Sequence, residues 1–260
     1  MHPGSSEAAP AALLEVRELS RSYGPVRALL DVSMHIDTGE VVGLVGDNSA
    51  GKSTLVTIIA GADRPDGGAL FVSGEEVDFH SPLDARERGI ETVYQDLALA
   101  PDLPVWANLF LGREEYVRGL GRLVGWMNKQ AMRERAQAEL ARLQIPIPDV
   151  DVAVDDLSGG QRQAVAVARS IAWGRQLVLM DEPTASLGVE EQEKVAGLVR
   201  RLAEQQVAVL LVSHNLAQVL ELADRIVVLR RGRRVAVRPT EKTTREEIVG
   251  LITGAIDGDP

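Results

Sequence analysis

The stretch LVGDNSAGKSTL, residues 44–55, decides the fold of this chain. An apolar run over residues 41–45 leads into a loop of small residues, and a helical pattern follows it. The loop has the spacing G-x-x-x-x-G-K-[ST], in which glycines let successive N–H groups point at phosphate oxygens. A glycine turn with an accidental lysine is the alternative, and the flanking strand and helix disfavour it. The defining positions are Gly46, Gly51, Lys52 and Ser53.

This loop supplies several kinds of phosphate ligand at once. The helix N-terminus after it carries a partial positive charge that attracts anions. We expect Lys52 to reach the β- and γ-phosphates of a nucleotide and the Ser53 hydroxyl to bind Mg²⁺. The predicted nucleotide contacts in the loop are Gly46, Asp47, Asn48, Ser49, Ala50, Gly51, Lys52, Ser53 and Thr54.

A second apolar strand ends in two carboxylates, in the stretch LVLMDEP at residues 177–183. Asp181 is expected to bind Mg²⁺ through water, and Glu182 to orient and polarise an attacking water. Adjacent carboxylates at a strand end can also be ordinary solvated loop residues. Their occurrence together with a phosphate loop favours the catalytic interpretation.

Composition narrows the class of protein. The 260 residues are 45% hydrophobic and 25% charged, which is typical of a soluble globular protein with a full core. The sequence has no cysteine, which excludes disulfides and Cys-ligated zinc, and its net charge of -10 disfavours broad nucleic-acid binding. No apolar run reaches the roughly 18 to 20 residues that span a bilayer. Residues 1–12 lack the features of a signal peptide and are expected to form a disordered tail.

The order of apolar patterns predicts an α/β domain. Several β-branched runs are continuous rather than alternating, as in strands buried on both faces of a mostly parallel sheet. From about residue 97 to 156 we find helical pieces instead, the clearest beginning near Asn128. We expect a main domain over 13–240, a helical subdomain inserted at about 97–172, and a short helical tail over 241–260. The apolar stripe of the inserted helix is Met132, Ala136, Leu140 and Leu143.

A second candidate anion site lies in LSGGQRQAVAVARSIA, residues 157–172. Ser158 is a helix cap, and the two glycines after it open a helix whose first N–H groups are free. One chain with a single phosphate loop has little use for two such sites. They make sense if two copies pair head to tail, each presenting this helix to the nucleotide of the other.

With these motifs the sequence closely resembles the ATP-binding cassette (ABC) ATPases, in which LSGGQ is the signature motif. The resemblance covers about residues 14–238. It implies a P-loop NTPase fold with a mostly parallel core sheet, an antiparallel β subdomain and a helical subdomain insertion. The residues that it places on the partner's ATP are Ser158, Gly159, Gly160 and Gln161.

The same resemblance assigns roles to three further residues. It implies that Tyr23 stacks on adenine, that Gln95 senses Mg²⁺ and the γ-phosphate, and that His214 contacts the γ-phosphate. Each has an ordinary alternative as a surface or turn residue, but six elements in the family's order disfavour coincidence. The expected catalytic residues are Glu182, His214 and Gln95. The expected Mg²⁺ ligands are Ser53, Gln95 and, through water, Asp181.

Within the family, the chain is similar to single-cassette ATPases of bacterial importers for ribose, xylose, fructose and similar sugars. This implies an ATP-hydrolysing homodimer at the cytoplasmic face of the cell membrane, bound to integral-membrane permease subunits and, through them, to a sugar-binding protein. No nucleic acid is expected as a partner. The alternatives are an ABC ATPase acting on nucleic acid or ribosomes, and a regulatory module that binds nucleotide without hydrolysing it.

Two residues depart from the common family pattern. Ser49 stands where ABC loops usually have glycine, and a positive φ there would strain a serine by about 1 kcal/mol. Gly188 stands where many members have an aspartate that couples the two sites of the dimer. We therefore expect nucleotide binding to survive and coupling to be the property affected.

Overall fold

A computed structural model of the chain describes residues 12–93, 99–117, 125–173, 176–184 and 188–259. Nearly all of the predicted tail over 1–12 lies outside these ranges. The strands of the described ranges are β1 (Leu14–Tyr23), β2 (Val26–Ile36), β3 (Val41–Gly46), β4 (Gly67–Val72), β5 (Glu75–Val77), β6 (Ile90–Val93), β7 (Leu177–Asp181), β8 (Ala208–Val212), β9 (Arg225–Arg230) and β10 (Arg233–Pro239). Their α-helices are α1 (Lys52–Ile59), α2 (Pro82–Glu87), α3 (Val105–Leu109), α4 (Lys129–Arg142), α5 (Gly159–Trp173), α6 (Val189–Glu204), α7 (Leu216–Leu222) and α8 (Arg245–Thr253).

The main sheet has the strand order β10-β9-β3-β8-β7-β6. Its strands run parallel from β9 to β6, and β10 adds an antiparallel edge. In the register, Val42 of β3 lies opposite Leu210 of β8 and Arg225 of β9. The predicted mostly parallel sheet is confirmed, and its continuous apolar strands are explained by burial of both faces.

Alternate residues of the central strands belong to two separate hydrophobic clusters. On β3, Val42 and Leu44 pack against α1 and the strands β1, β2 and β4, whereas Val41 and Val45 pack on the opposite face. That opposite face is covered by helices α3 to α8. The alternation follows from the twofold side-chain period of a strand.

A smaller antiparallel sheet, with the order β2-β1-β4-β5, covers the α1 side of the main sheet. Tyr23 pairs with Val26 at the turn between β1 and β2, so the long hairpin ends beside a tight connection. This sheet corresponds to the antiparallel β subdomain that the family resemblance implies.

Helices α3, α4 and α5 lie between β6 and β7 in the chain. Asn128 caps α4, because its side chain accepts a hydrogen bond from the N–H of Ala131 at 3.2 Å. All four residues of the predicted apolar stripe on this helix are buried, which confirms the stripe. Asn108, at the end of α3, is fully buried and bonds through its amide to Ala100 and Leu103. The exact bounds of the helical subdomain and of the other two segments stay predictions.

The chain ends on the β9–β10 hairpin and α8. Thr244 caps α8, whose presence agrees with the predicted helical tail. Three arginines of this hairpin bond to other segments of the chain instead of extending only into solvent. The side chains that bond to other segments are Arg230 (to the Leu251 carbonyl), Arg234 (to the Ser33 carbonyl) and Arg238 (to Glu247). In the ranges given above, no helix is both long and apolar enough to cross a bilayer.

Candidate nucleotide-binding and catalytic site

The phosphate loop connects β3 to α1, which begins at Lys52. Lys52 is buried, with only 8% of its surface exposed. Its ammonium group donates hydrogen bonds to the carbonyl oxygens of Gly46 at 2.7 Å and Asp47 at 2.9 Å. Burial lowers the pKa of Lys52, while the charges of Glu182 and Asp181 oppose that shift. The lysine is therefore folded across its own loop, with donors that can pass from carbonyls to phosphate oxygens.

The two glycines that frame the loop are required by close contacts. A Cβ atom at Gly46 would lie 2.4 Å from the Leu229 carbonyl oxygen. At Gly51, where φ is 100°, a Cβ atom would lie 2.5 Å from the Ala28 carbonyl oxygen. The loop is thus pressed between β9 on one side and β2 on the other, which fixes its backbone N–H groups.

The exposed tip of the loop carries the first departure from the family pattern. Ala50 donates its N–H to the Asp47 carbonyl at 3.0 Å, which closes a tight turn. Ser49 lies inside this turn and is exposed, but it is not among the non-glycine residues with positive φ. The condition for strain is not met, so serine costs no backbone strain of that kind.

The two carboxylates at the end of β7 have different surroundings. Burial, reinforced by the neighbouring charge of Glu182, raises the pKa of Asp181, and the charge of Lys52 opposes this. Glu182 has a φ of 50° and donates its N–H to the Val212 carbonyl at 2.9 Å. Its backbone is therefore held against β8 in a left-handed conformation that few residues adopt.

Glu182 meets His214 directly. The Glu182 carboxylate (Oε2) lies 2.7 Å from Nδ1 of His214, with the glutamate side chain 19% exposed and the histidine 68% exposed. His214 follows β8 just as Glu182 follows β7, and these strands are parallel neighbours. Their carboxyl ends share one edge of the sheet, so two of the predicted catalytic residues come together.

A buried hydrogen bond beside this pair was not predicted from the sequence. The hydroxyl of Thr184 donates to the side-chain oxygen of Gln218 at 2.8 Å, and both residues are buried. Thr184 follows Glu182 by two positions and Gln218 lies in α7, just after His214. The bond therefore ties together the two segments that carry the pair. A polar residue on the apolar face of a short helix was the only signal available.

The signature motif lies at the start of α5. Ser158 and Gln161 cap it reciprocally: the Ser158 hydroxyl accepts from the Gln161 N–H at 3.2 Å, and the Gln161 side chain accepts from the Ser158 N–H at 3.0 Å. This is the capping-box geometry that leaves the helix end ordered. Gly159 and Gly160 form the first helical positions. Within this chain the motif lies at the start of α5, whereas the phosphate loop lies between β3 and α1.

Three other residues singled out from the sequence are Tyr23, Gly188 and Gln95, and the structure describes the first two of them. Tyr23 lies at the end of β1, 46% exposed, and its hydroxyl donates to Asp63 at 2.5 Å. Gly188 precedes α6, and its N–H donates to the Glu191 carboxylate at 2.9 Å. Gln95 lies outside the described residues.

Known proteins resemble this chain along most of its length. The sequence model of the ABC transporter family matches residues 29–185. The chain belongs to the ABC transporter family. Its relatives include the xylose/arabinose import ATP-binding protein of Sulfolobus acidocaldarius, 50% identical over 241 residues, which are 93% of this chain and 94% of the relative. The fructose import ATP-binding protein of Rhizobium meliloti is 43% identical over 247 residues, 94% of each chain.

A solved structure supports the fold of the cassette. It is a dimeric ATP-binding cassette in a post-hydrolysis state, bound to ADP and phosphate. Its TM-score is 0.72 at 26% identity, with 87% of this chain and 98% of that chain covered. The expected fold class and the resemblance to ABC ATPases are both confirmed.

The oxygen donors of the cassette fit Mg²⁺. Ser53 stands in the first turn of α1, and Asp181 acts on Lys52 through its charge. Hydroxyl and carboxylate oxygens are hard ligands, and Mg²⁺ commonly takes only one or two of them from protein, keeping waters and nucleotide oxygens. In the described part of the cassette, no group of three or more His, Asp or Glu side chains could hold a metal by itself.

Proposed function

We propose that this cassette is the ATP-hydrolysing subunit of an importer for a simple sugar. The observation that carries the hydrolytic part is the contact between Glu182 and His214, beside Lys52 and Asp181. The transport part is supported by the family and by the two relatives, whose names assign them to xylose/arabinose and fructose import.

In this proposal Lys52 exchanges the carbonyls of Gly46 and Asp47 for β- and γ-phosphate oxygens of ATP. The N–H groups at the start of α1 bind the same phosphates, because a helix N-terminus favours anions. Ser53, Gln95 and, through water, Asp181 would hold Mg²⁺, which neutralises charge on the phosphates. Tyr23 receives the adenine. Each of these contacts positions the γ-phosphate rather than attacking it.

Glu182 then acts on the attacking water. The water oxygen forms a bond to the γ-phosphorus, the bond from that phosphorus to the bridging oxygen of ADP breaks, and Glu182 accepts the water proton. His214 is within hydrogen-bonding distance of Glu182 and, as the proposed contact of the γ-phosphate, aligns the glutamate with the phosphate. The Thr184–Gln218 bond keeps the two segments in register.

Two copies would enclose two ATP molecules. Each copy's Ser158, Gly159, Gly160 and Gln161 would contact the ATP held by the other, which explains why a second helix N-terminus exists in a chain with one phosphate loop. The dimeric relative with bound ADP and phosphate supports this arrangement. Closure of the dimer would move permease subunits at the cytoplasmic face of the membrane, and a sugar-binding protein would deliver the substrate to the permease from the other side.

The test uses tagged Glu182→Gln protein purified gently with ATP from native membranes. Loss of the carboxylate should leave ATP bound and the dimer closed, since only the proton acceptor is removed. Glu204→Gln, an exposed carboxylate at the end of α6, is the matched control and should turn over ATP like the parent. We expect a multi-spanning permease to copurify and to be identified by mass spectrometry.

Each outcome of this purification has a defined meaning. A permease whose partner sugar-binding protein stimulates ATP hydrolysis with a pentose or hexose supports the full proposal. Copurification of soluble proteins or nucleic acid alone contradicts the importer and leaves an ATPase of another class. Parental turnover in Glu182→Gln removes Glu182 from its proposed role.

A further inference from the structure

Arg21, Tyr23 and Asp63 form a side-chain cluster between the end of β1 and the segment that follows α1. The guanidinium carbon of Arg21 lies over the Tyr23 ring, 5.0 Å from its centroid. Asp63 accepts hydrogen bonds from Nε of Arg21 at 3.0 Å and from its Nη2 at 2.6 Å. The same carboxylate accepts the Tyr23 hydroxyl at 2.5 Å. One carboxylate therefore holds both the aromatic ring and the cation stacked on it.

A second carboxylate makes this cluster rigid. Asp66 accepts Nη1 of Arg21 at 2.8 Å and the Ser22 N–H at 2.7 Å. Its own N–H donates to the Ser20 carbonyl at 2.8 Å. The loop that carries Asp63 and Asp66 is thus bound along the last residues of β1. Charge-assisted bidentate bonds of this kind fix an arginine in one geometry.

The ionisation of Asp63 is consistent with this role. Burial acts to raise its pKa, but the hydrogen bonds from the Tyr23 hydroxyl and the Arg64 N–H, together with the charge of Arg21, outweigh burial. The pKa of Asp63 therefore lies below its ordinary value, and the group is a carboxylate acceptor at neutral pH.

Two connections link the cluster to the phosphate loop, one at each end of α1. Asp63 comes four residues after the end of α1, whose first residue is Lys52. At the other end, Gly51 presses against Ala28 of β2, the strand that the turn after Tyr23 leads into. The position of the Tyr23 ring relative to the phosphate-binding groups is therefore set by hydrogen bonds and packing.

We propose that Arg21 and Asp63 are positioning residues for the nucleotide base. They hold the Tyr23 ring in one orientation and cover one of its faces with a guanidinium, so that a purine stacks on the other face. This inference rests on the proposed function, which places adenine on Tyr23. The guanidinium of Arg21 covers one face of the ring, and Tyr23 is still 46% exposed, which leaves surface on which a base can stack.

Ordering the ring in advance strengthens binding. A rotamer that is already fixed does not have to be immobilised when the base arrives, and removing that advantage weakens affinity by about three- to tenfold. The loss should be confined to ligands that carry a base. A ligand with phosphates alone reports on the loop and not on Tyr23.

The test compares ATP with inorganic tripolyphosphate, each with Mg²⁺, by isothermal titration. In Asp63→Ala, ATP should bind about three- to tenfold more weakly, while tripolyphosphate affinity should equal that of the parent. Tyr23→Phe keeps the ring and loses only the bond to Asp63, so it should lose ATP affinity in the same direction. Tyr23→Phe also serves if Asp63→Ala fails to fold, which thermal denaturation would reveal.

The chain contains a matched control on the same strand. Arg17 lies 4.1 Å from the centroid of the Phe71 ring and bonds to the Glu15 carboxylate twice at 2.8 Å. This carboxylate–arginine–aromatic arrangement occupies the other half of β1, away from the phosphate loop. Glu15→Ala should bind both ATP and tripolyphosphate like the parent.

Two results would overturn the positioning role. Parental ATP affinity in both folded variants would show that the ring needs no support. An equal loss for ATP and tripolyphosphate would show that Asp63 acts on α1 and the loop instead. Failure of the proposed function has a different signature, namely a parent protein that binds neither ligand, or Lys52→Ala that binds both as tightly as the parent.

Discussion

Replacement of Gly51 by alanine tests whether the phosphate loop is packed against β2. The added Cβ would lie 2.5 Å from the Ala28 carbonyl oxygen and 2.8 Å from Cδ2 of Leu29. The Leu29 methyl group can move a little, but the carbonyl belongs to a paired strand. The residue also has a φ of 100°, which alanine rarely adopts.

Two terms set the size of the effect. Left-handed backbone costs an L-residue about 1–2 kcal/mol, and overpacking of a filled site typically costs about 1–3 kcal/mol. Gly112→Ala is the matched control, because its φ is 77° but nothing lies within 4 Å of the added Cβ. Only the backbone term applies to this control. The free energy of unfolding of Gly51→Ala should therefore be lower than that of Gly112→Ala by about 1–3 kcal/mol. At about 2–4 °C per kcal/mol, the two Tm values should differ by about 2–12 °C.

The assay is thermal denaturation of both variants without nucleotide, followed by ATP titration. Gly51→Ala should also lose ATP affinity, since a displaced loop no longer directs its N–H groups at the phosphates, whereas Gly112→Ala should bind like the parent. Equal Tm values for the two variants, or parental ATP affinity in Gly51→Ala, would refute the contact with Ala28 as the reason for glycine.

Three further changes test other parts of the site and fold. His214→Ala should reduce turnover by about 10²-fold or more and leave ATP affinity nearly unchanged, because it removes the group that aligns Glu182; comparing single-turnover rates with titrations measures this. Asp181→Asn should raise the Tm of the nucleotide-free protein at neutral pH, because burial and Glu182 raise the pKa of Asp181 and make its ionised form unfavourable in the fold. That gain should begin to shrink as pH falls through the folded pKa and should vanish only below the ordinary aspartate pKa, where the carboxyl is protonated in both the folded and the unfolded state. The Tm difference is therefore followed against pH, and a difference that persists at acid pH contradicts the assignment. Asn108→Ala should cost about 2–4 kcal/mol in a guanidinium titration, since the buried partners of its amide lose their bonds, and a stability like the parent's would show that water replaces them.

Much of the fold was predictable because strands and helices place apolar residues at characteristic intervals along a short segment of sequence. The continuous apolar runs gave the parallel strands, and the stripe of α4 gave its buried face. The phosphate loop was predictable for the same reason, as its glycines, Lys52 and Ser53 stand at fixed spacing along one segment.

The contacts between distant polar residues were not predictable. Glu182 and His214 lie 2.7 Å apart only because β7 and β8 are adjacent, and no local pattern encodes that adjacency. The contact between Tyr23 and Asp63 was unpredictable for the same reason. So were the contacts of the hairpin arginines, whose acceptors lie on β2 and α8. The strain considered at Ser49 depended on a positive φ, which the sequence could not reveal and which Ser49 does not have.

The division of the core by the main sheet bears on how the molecule opens. One hydrophobic cluster joins α1 to the small sheet, and the other joins α5 to helices α6 to α8. Alternate side chains of the same central strands belong to the two clusters. Amide protons of β3, β7 and β8 are therefore shielded by two independent layers and should exchange with solvent last. Amide protons of helices α5 to α8 can exchange through local opening of that side while α1 and the small sheet stay packed. The main sheet is therefore a boundary at which one side of the cassette can unfold locally while the side that binds the nucleotide stays folded.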